Sequence, residues 1–487
     1  MLFSSPVFLF LFLPLVLAGS FLVPRKLRNT WLLLASLFFY AWGEPVFVLV
    51  MLASIAANWS FGLAVARAER GRRAKAVIAL AIVFDIGLLA FFKYAHFLWG
   101  NLGALAGYAG LAAEWPEIGP VRLPIGISFF TFQALSYVID VYRREGPAQR
   151  NPVNFGLYIA LFPQLIAGPI VRYRDVAAQI LGRAVTRPGF AQGVRRFVIG
   201  LGKKMLIANV MAEVADPIFA LDPSKLTAPV AWLGTLAYTL QIYFDFSGYS
   251  DMAIGLGLMF GFRFLENFDY PYVATTVTEF WRRWHISLST WFRDYLYIPL
   301  GGNRRGSART YLNLLLVFFL CGLWHGAAWN FVVWGLFHGT FLVLERIFLR
   351  ARETPRRDLV GHAYTLLVAM VGWVFFRAET LPRAMQHLGA MFGLGLGDGV
   401  EVRPALYSSS LVWLVLAAGA IGSVPWLPAL SSWRERLVAR RLARGQGAGL
   451  FDLGLELSSI AGLVAVFVAS AMMLSAGTYN PFIYFRF

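Results

Sequence analysis

Two histidines lie in or beside strongly apolar stretches of this sequence. His325 comes near the end of the apolar run 311–326, and the small residues Gly-Ala-Ala follow it directly. His285 lies in a segment rich in tryptophan and arginine. A neutral imidazole can accept a proton near neutral pH, and burial keeps it neutral. Because polar groups at membrane depth are costly and face a protein interior or a water-filled cavity, residues 245–338 are predicted to enclose a functional cavity.

Further polar residues follow His325 on the next predicted helix. Asn330, Trp334 and His338 recur at four-residue spacing, so they share one face and can close the same cavity. Trp324, which directly precedes His325, is assigned to the same lining. The alternative for each histidine is a structural residue whose ring is hydrogen-bonded inside the protein. The spacing alone leaves both interpretations open.

The segment 279–302 has a helical pattern. One predicted stripe contains Trp281, Trp284, Leu288, Trp291 and Tyr295. The other contains Arg283, Ser287, Thr290 and Asp294. The pattern predicts an amphipathic element, which either lies along the membrane surface or enters the protein and brings His285 inward beside Arg282 and Ser289.

A third polar group occupies residues 245–251 and contains Asp245, Ser247, Ser250 and Asp251 around Gly248. These residues follow an apolar run. We predict either a kinked helix end, whose side chains bond to the local backbone, or a part of the cavity wall that includes Asp251. The glycine-rich stretch 255–261 has no preceding strand and no suitably spaced lysine, so it is not interpreted as a phosphate loop. Since Cys321 is the only cysteine and zinc-site spacings are absent from the sequence, no metal is expected.

Composition indicates a polytopic, all-α membrane protein. Apolar residues make up 58% of 487 positions and charged residues 14%. We expect one helical bundle of roughly 11 to 13 membrane segments, with additional re-entrant or amphipathic helices. The net charge of +17 arises from 43 Lys and Arg that fall mainly in short clusters between apolar runs. This spacing predicts contact with membrane lipid headgroups and argues against nucleic acid as a partner.

The distribution of basic residues also predicts a topology. The apolar segment 3–23 precedes a basic cluster, which places the N-terminus outside the cell. Two segments, 32–42 and 45–66, follow and lead to the basic loop 67–75, which is then cytoplasmic. The next segment, 76–92, returns outward, so 94–121 is predicted to be an external loop that could bind a partner.

Beyond this loop the predicted crossings become irregular. Segment 123–142 returns to Arg143 and Arg144 on the inside. Prolines and glycines then interrupt 154–171, and two lysines lie near the middle of 198–220. Such segments are expected to be partly inserted and buried by protein. The later predicted membrane segments are 228–246, 311–324, 331–348, 363–376, 410–424 and 457–476.

The sequence resembles the membrane-bound O-acyltransferase superfamily, and within it the bacterial branch of alginate O-acetyltransferase membrane subunits. The motifs that carry the resemblance are 123–132, 162–169, 243–251, 280–302, 323–326 and 480–487. They extend over most of the chain, so 1–487 is interpreted as one integral-membrane domain with a catalytic core at about 123–348.

The resemblance implies a ring of helices around a central tunnel. His325 matches the signature catalytic histidine of the family, and His285 matches the second histidine of its tryptophan- and arginine-rich motif. The acyl donor is expected to be a cytoplasmic thioester, acetyl-CoA, which would meet an acceptor that comes from the other side of the membrane. No bound cofactor is expected. Arg282 and Arg283 would hold the phosphates of coenzyme A or contact lipid headgroups.

The same resemblance implies a location and partners. The protein is expected in the bacterial inner membrane, where it passes an acetyl group to a periplasmic partner of the SGNH type. That partner would acetylate a polysaccharide such as alginate or another cell-wall polymer. Three alternatives stay open: D-alanyl transfer from a carrier protein, transport of the acyl group or polymer without chemistry, and a membrane scaffold for a polysaccharide complex.

Overall fold

The computed structural model describes residues 1–68, 71–110, 115–116, 119, 121–349, 358–395, 397, 402–443, 449–477 and 479–481. Within these ranges the chain consists of helices, turns and irregular backbone, and no strand is present, as the sequence predicts. Arg70 of the predicted basic loop, parts of the predicted loop 94–121 and residues 482–487 of the C-terminal motif lie outside the described residues.

The helices succeed one another with short connections. They are α1 (Phe8–Leu22), α2 (Arg28–Ala41), α3 (Phe47–Arg67), α4 (Arg72–Tyr108), α5 (Ile127–Arg143), α6 (Pro152–Ala160), α7 (Phe162–Leu165), α8 (Tyr173–Gly182), α9 (Arg187–Gly202), α10 (Asn209–Ala220), α11 (Ala228–Met259), α12 (Val277–Arg283), α13 (Ile286–Phe292), α14 (Ser307–His325), α15 (Trp329–Phe348), α16 (Leu359–Arg377), α17 (Leu381–Met391), α18 (Ser410–Gly422), α19 (Trp426–Ala443) and α20 (Gly449–Ser475).

Six helices of the described chain are long and apolar enough to cross a membrane. They are α3, α4, α14, α15, α16 and the Leu453–Ser475 part of α20. Two shorter apolar helices, α1 and α18, accompany them. The polytopic all-α prediction is therefore confirmed, whereas the total of roughly 11 to 13 crossings stays a prediction.

The centre of the fold is α11, a helix of 32 residues that is buried along most of its length and packs against α9 and α10. The predicted helix end at 245–251 is wrong, because α11 continues to Met259. Ion pairs allow this continuation. Asp245 lies 2.8 Å from Lys204, and Asp251 lies 2.7 Å from Lys203, so both carboxylates are neutralised inside the protein.

The predicted external loop 94–121 is wrong in its first part. Helix α4 does not end at Phe92 but runs for 37 residues to Tyr108, about 55 Å at 1.5 Å per residue. Its Ala90–Tyr94 segment is π-helical and contains Lys93. A lysine ends a membrane helix only if its charge must reach water. Here the ammonium donates hydrogen bonds to protein carbonyls, so the helix continues.

The predicted amphipathic element 279–302 is not one continuous helix. Helix α12 ends at Arg283, and His285 adopts a left-handed conformation with φ 44° before α13 begins. The predicted aromatic stripe is nevertheless buried throughout. Thr276 caps α12, and the carboxylate of Glu345 accepts hydrogen bonds from the first backbone amides of that helix. The segment is therefore a broken element that packs against the helical bundle, and its depth in the membrane stays a prediction.

The predicted break in 154–171 is confirmed. Helix α6 stops at Ala160, α7 makes a single turn, and residues 166–172 are not helical. This backbone is buried, and protein groups satisfy it: the Ile170 amide donates to Ser287 Oγ at 3.0 Å. Non-helical backbone at membrane depth requires such partners. The break thereby forms part of the support for the segment that follows His285.

Helices α14 and α15 pack so closely that glycine is required at their contact. A Cβ atom on Gly335 would lie 2.2 Å from the carbonyl oxygen of Phe318, which is backbone and cannot rotate away. Gly322 on the facing helix has a similar environment, 2.3 Å from the carbonyl oxygen of Phe331. Small residues at helix contacts allow this approach in membrane proteins. The contact sets the distance between His325 and the helix that carries Trp334.

We expect Gly335→Ala to lower the melting temperature of the purified protein in detergent, because overpacking costs about 1–3 kcal/mol. The matched control is Gly87→Ala in α4, where nothing lies within 4 Å of the added Cβ. Alanine is the better helix former, so the control should melt at the same temperature or higher. Tryptophan fluorescence during heating measures both. Equal melting temperatures for the two variants would contradict the close packing.

Candidate active site

His285 is positioned by the break between α12 and α13. Two backbone hydrogen bonds connect the break to the preceding non-helical segment. The amide of Asp269 donates to the carbonyl of Arg283, and the amide of Ile286 donates to the carbonyl of Asn267 at 2.9 Å. The imidazole is 1% exposed and packs edge-on against Phe246 of α11. Left-handed backbone at a non-glycine residue is costly and is found where surrounding structure imposes it, commonly at functional sites.

Asn267 determines which nitrogen of His285 carries the proton. Its side-chain oxygen accepts a hydrogen bond from the Ser287 amide at 3.2 Å, which identifies that atom as the oxygen. The same oxygen lies 3.1 Å from His285 Nδ1. Nδ1 must therefore be the donor, and the neutral ring keeps a lone pair on Nε2. Within the described residues Nε2 has no hydrogen-bond partner, so it is available to a substrate hydroxyl.

His325 is the last residue of α14, as the sequence predicts, and the extended Gly326 follows it. Its ring is 6% exposed and is enclosed by aromatic rings at centroid distances of 4.8 Å for Trp324, 5.0 Å for Trp334 and 5.1 Å for Phe376. No described residue bonds to its Nδ1. The rings of His325 and His285 lie 6.5 Å apart, centroid to centroid. The two histidine rings are thus neighbours in the fold, although they are 40 positions apart in the sequence.

A cavity of about 260 Å³ reaches His325 from one side of the molecule. Trp324 and His325 form its inner wall, and the segment before α5 forms its outer part. Three charged residues also line it: Glu44, Lys93 and Arg122. Arg122 is largely exposed and pairs with the buried Glu44 at 3.3 Å. The cavity can therefore admit a polar group from the surface to His325.

Asn330, Trp334 and His338 share one buried face of α15, as their spacing predicts. The ring of Trp334 contacts the rings of His325 and His338, at centroid distances of 5.0 Å and 5.3 Å. Asn330 donates to two carbonyls of the α16 end, Phe375 at 3.2 Å and Ala378 at 2.8 Å. These contacts tie the two helices together. The substrate-binding roles of Asn330 and His338 stay predictions.

The remaining predicted binding residues lie apart from the two histidines. Asp251 pairs with Lys203 and, at 2.9 Å, with Arg196. Arg283 bonds Glu279 at 3.0 Å and Asp269 at 2.8 Å, whereas Arg282 is exposed. The structure does not bring these side chains to His325. Their ion pairs hold α9, α11 and α12 in place, and contact of the arginines with coenzyme A stays a prediction.

The far end of the broken element is anchored by charge. Asp294 accepts hydrogen bonds from Arg172 at 2.7 Å and Arg174 at 2.8 Å. Burial acts to raise the pKa of Asp294, but the hydrogen bond from Arg293 and the neighbouring arginine charges outweigh it and hold that pKa below its usual value. The carboxylate is thus ionised and fixes the residues after α13.

Sequence reasoning missed three residues of the site. Asn267 lies in a segment without periodicity, so nothing marked it as the partner of His285. Lys93 follows the predicted segment 76–92 and Tyr94 begins the predicted loop 94–121, yet both side chains bond to the last carbonyls of α14. A lone lysine that follows an apolar run was the available signal, because an intramembrane cation requires a partner.

The sequence is similar to those of known proteins, and the similarity extends over most or all of the chain. Residues 125–378 match the sequence model of the MBOAT, membrane-bound O-acyltransferase family. A probable alginate O-acetylase AlgI of Azotobacter vinelandii is 45% identical over the full length of both chains, and that of Pseudomonas aeruginosa is 42% identical, also over both full lengths. A peptidoglycan O-acetyltransferase of Helicobacter pylori is 36% identical over 81% of this chain and 80% of its own.

We expect Asn267→Ala to destabilise the protein, because the Ser287 amide and His285 Nδ1 would be buried without an acceptor, at about 1–3 kcal/mol for each group. Asn267→Asp keeps an acceptor oxygen and should retain more of the stability. The matched control is Asn303→Ala at an exposed position, which should melt like wild type. Melting temperatures in detergent decide the matter. If Asn267→Ala melted like Asn303→Ala, Asn267 would not be the residue that holds this break.

Proposed function

The chain belongs to the membrane-bound O-acyltransferase family, and we propose that it transfers an acetyl group from acetyl-CoA to an acceptor hydroxyl bound between His325 and His285. That it is a membrane O-acetyltransferase follows from its relatives. The donor, the acceptor and the direction of transfer are our proposals. The observation that supports them best is that the buried ring of His325 lines a cavity and lies 6.5 Å from the buried ring of His285.

The proposed reaction needs one base and one acceptor of hydrogen bonds. His325 takes the proton of the acceptor hydroxyl as its oxygen attacks the thioester carbonyl. The new C–O bond forms and the C–S bond breaks. The thiolate then takes the proton from the imidazolium of His325 and leaves as free thiol. Since Asn267 keeps the proton of His285 on Nδ1, the lone pair on Nε2 can accept a hydrogen bond from a second, non-reacting donor group of the acceptor, while the single proton of the attacking hydroxyl goes to His325. His285 thus positions the acceptor and, while neutral, is unsuited to donate to an oxyanion.

The two substrates are proposed to approach from opposite faces. The cavity at Arg122 lies at the start of α5, whereas Arg143 marks the end of that helix. By the distribution of positive charge, the Arg143 face is cytoplasmic and the Arg122 face is external. The acceptor would therefore enter through the cavity, and the thioester would come from the cytoplasmic side, where Arg282 and Arg283 could contact its phosphates.

We further propose that the acceptor is a periplasmic partner of the SGNH type or an exopolysaccharide, with the protein in the bacterial inner membrane. Support comes from the names of two relatives, a probable alginate O-acetylase and a peptidoglycan O-acetyltransferase. Both are polymers outside the cytoplasm. The polar lining of the cavity, with Glu44, Lys93 and Arg122, also favours a hydroxylated acceptor over an apolar one.

We expect His325→Ala to lower turnover by about 10²–10⁴-fold, the usual contribution of general-base catalysis. The measurement is release of free thiol from acetyl-CoA by the purified protein in lipid, with an acceptor present. His285→Ala should also lower turnover and should raise the KM of the acceptor. The matched control is His96→Ala, an exposed histidine of α4, which should behave like wild type.

Other outcomes of this assay distinguish the alternatives. Thiol release from a D-alanyl carrier protein, but not from acetyl-CoA, would change the donor and keep the site. Substrate that crosses the membrane unchanged would indicate a transporter. Wild-type turnover in folded His325→Ala would contradict the proposed role of His325.

A further inference from the structure

Two consecutive residues of α4 bond to the helix end that carries His325. Lys93 Nζ donates to the carbonyl oxygens of Trp324 at 2.5 Å and His325 at 3.0 Å. The Tyr94 hydroxyl donates to the carbonyl oxygen of Leu323 at 2.6 Å. Three consecutive carbonyls at the end of α14 are thus satisfied by two neighbouring side chains that come from more than 200 positions earlier in the sequence.

The end of α14 needs such partners. The last four carbonyls of a helix have no partner within the helix, and side chains, water or a following turn must supply one. The backbone after His325 does not turn back to do so, because Gly326 is extended and its amide bonds only to Gly322. A cation is favoured at this position, since the C-terminal end of a helix carries partial negative charge.

The π-helical turn explains how both side chains reach α14. A π-helical turn contains an additional residue, so it rotates the side chains that follow relative to a regular helix. The turn in α4 is Ala90–Tyr94, and Lys93 and Tyr94 are its last two residues. Such turns are rare and are frequent at functional sites.

Lys93 also belongs to the cavity itself. It lines the space that His325 and Trp324 close, and its ammonium lies 5.9 Å from the centre of the Trp324 ring. Of the three N–H donors of the ammonium, the carbonyls of Trp324 and His325 take two. The half-buried ammonium is therefore held against the end of α14 that carries His325.

We propose that Lys93 and Tyr94 are positioning residues of the acetyl transfer site, which hold the last turn of α14 so that His325 faces His285. This inference rests on the proposed function. Reacting groups must be placed to within a fraction of an ångström, and a displacement of about 1 Å can lower the rate by about 10²-fold. Loss of these hydrogen bonds to the last turn of α14 should therefore lower kcat and leave the KM for the thioester nearly unchanged.

The test compares Lys93→Met, Lys93→Arg and Tyr94→Phe in the thiol-release assay. Lys93→Met keeps the length of the side chain and removes its donors, so kcat should fall by about 10²-fold. Lys93→Arg retains cationic donors and should recover a large part of the rate. Tyr94→Phe removes one hydrogen bond and should have a smaller effect. The controls are Lys26→Met and Tyr108→Phe, both at exposed positions, which should match wild type.

A second measurement separates positioning from folding. In a His325→Ala background, Lys93→Met should cause no further loss of residual turnover, because the residue it positions is already gone. An additional loss in that background, or wild-type kcat for Lys93→Met in the intact protein, would overturn the positioning role. Inactivity of wild type itself would instead refute the proposed function, so the two failures are distinguishable.

Discussion

The hydrogen bond between Asn267 and His285 is the interaction on which the geometry of the site depends. One amide oxygen accepts from the ring, from the Ser287 amide and from the Ser287 hydroxyl, at 3.1, 3.2 and 2.9 Å. It holds a left-handed residue between two short helices in a region where water is scarce. The hydrogen bond also determines which ring nitrogen, Nε2, can accept a hydrogen bond from a substrate. A single side chain thereby links the break in the backbone to the chemistry of the ring.

A shared constraint explains why the other elements surround this break. Backbone and charged groups at membrane depth must be paired by protein. Accordingly, Ser287 bonds to the non-helical backbone at Ile170, Glu345 bonds to the first turn of α12, and Lys93 bonds to the last turn of α14. The Nε2 of His285 and the Nδ1 of His325 differ from these groups, because no described residue bonds to them. The same holds for other buried polar atoms nearby, including both ring nitrogens of His338, so an unpaired atom indicates a substrate site only where a cavity reaches the residue, as at His325.

The helical class and several helix bounds could be predicted from sequence because apolar runs of membrane length leave few alternatives. The position of His325 at the end of a helix followed from the same run and from the glycine after it. Charged residues caused the errors. The predicted segment 76–92 ends just before Lys93, and one of the two predictions for 245–251 is a helix end beside Asp251, since sequence does not show whether a charged residue within a helical run has a partner. Both are paired, Lys93 with carbonyls and Asp251 with Lys203, so their helices continue. The contact of Asn267 with His285 could not be predicted, because no periodicity links them.

We propose that the acyl carbon is attacked between the rings of His285 and His325. A cryo-electron microscopy structure with a non-reactive thioether analogue of acetyl-CoA tests it directly. We expect density for the acyl end between the two rings, beside the imidazole of His325. An acyl end that lies elsewhere in the molecule, with the space between the rings filled by ordered side chains, would contradict it.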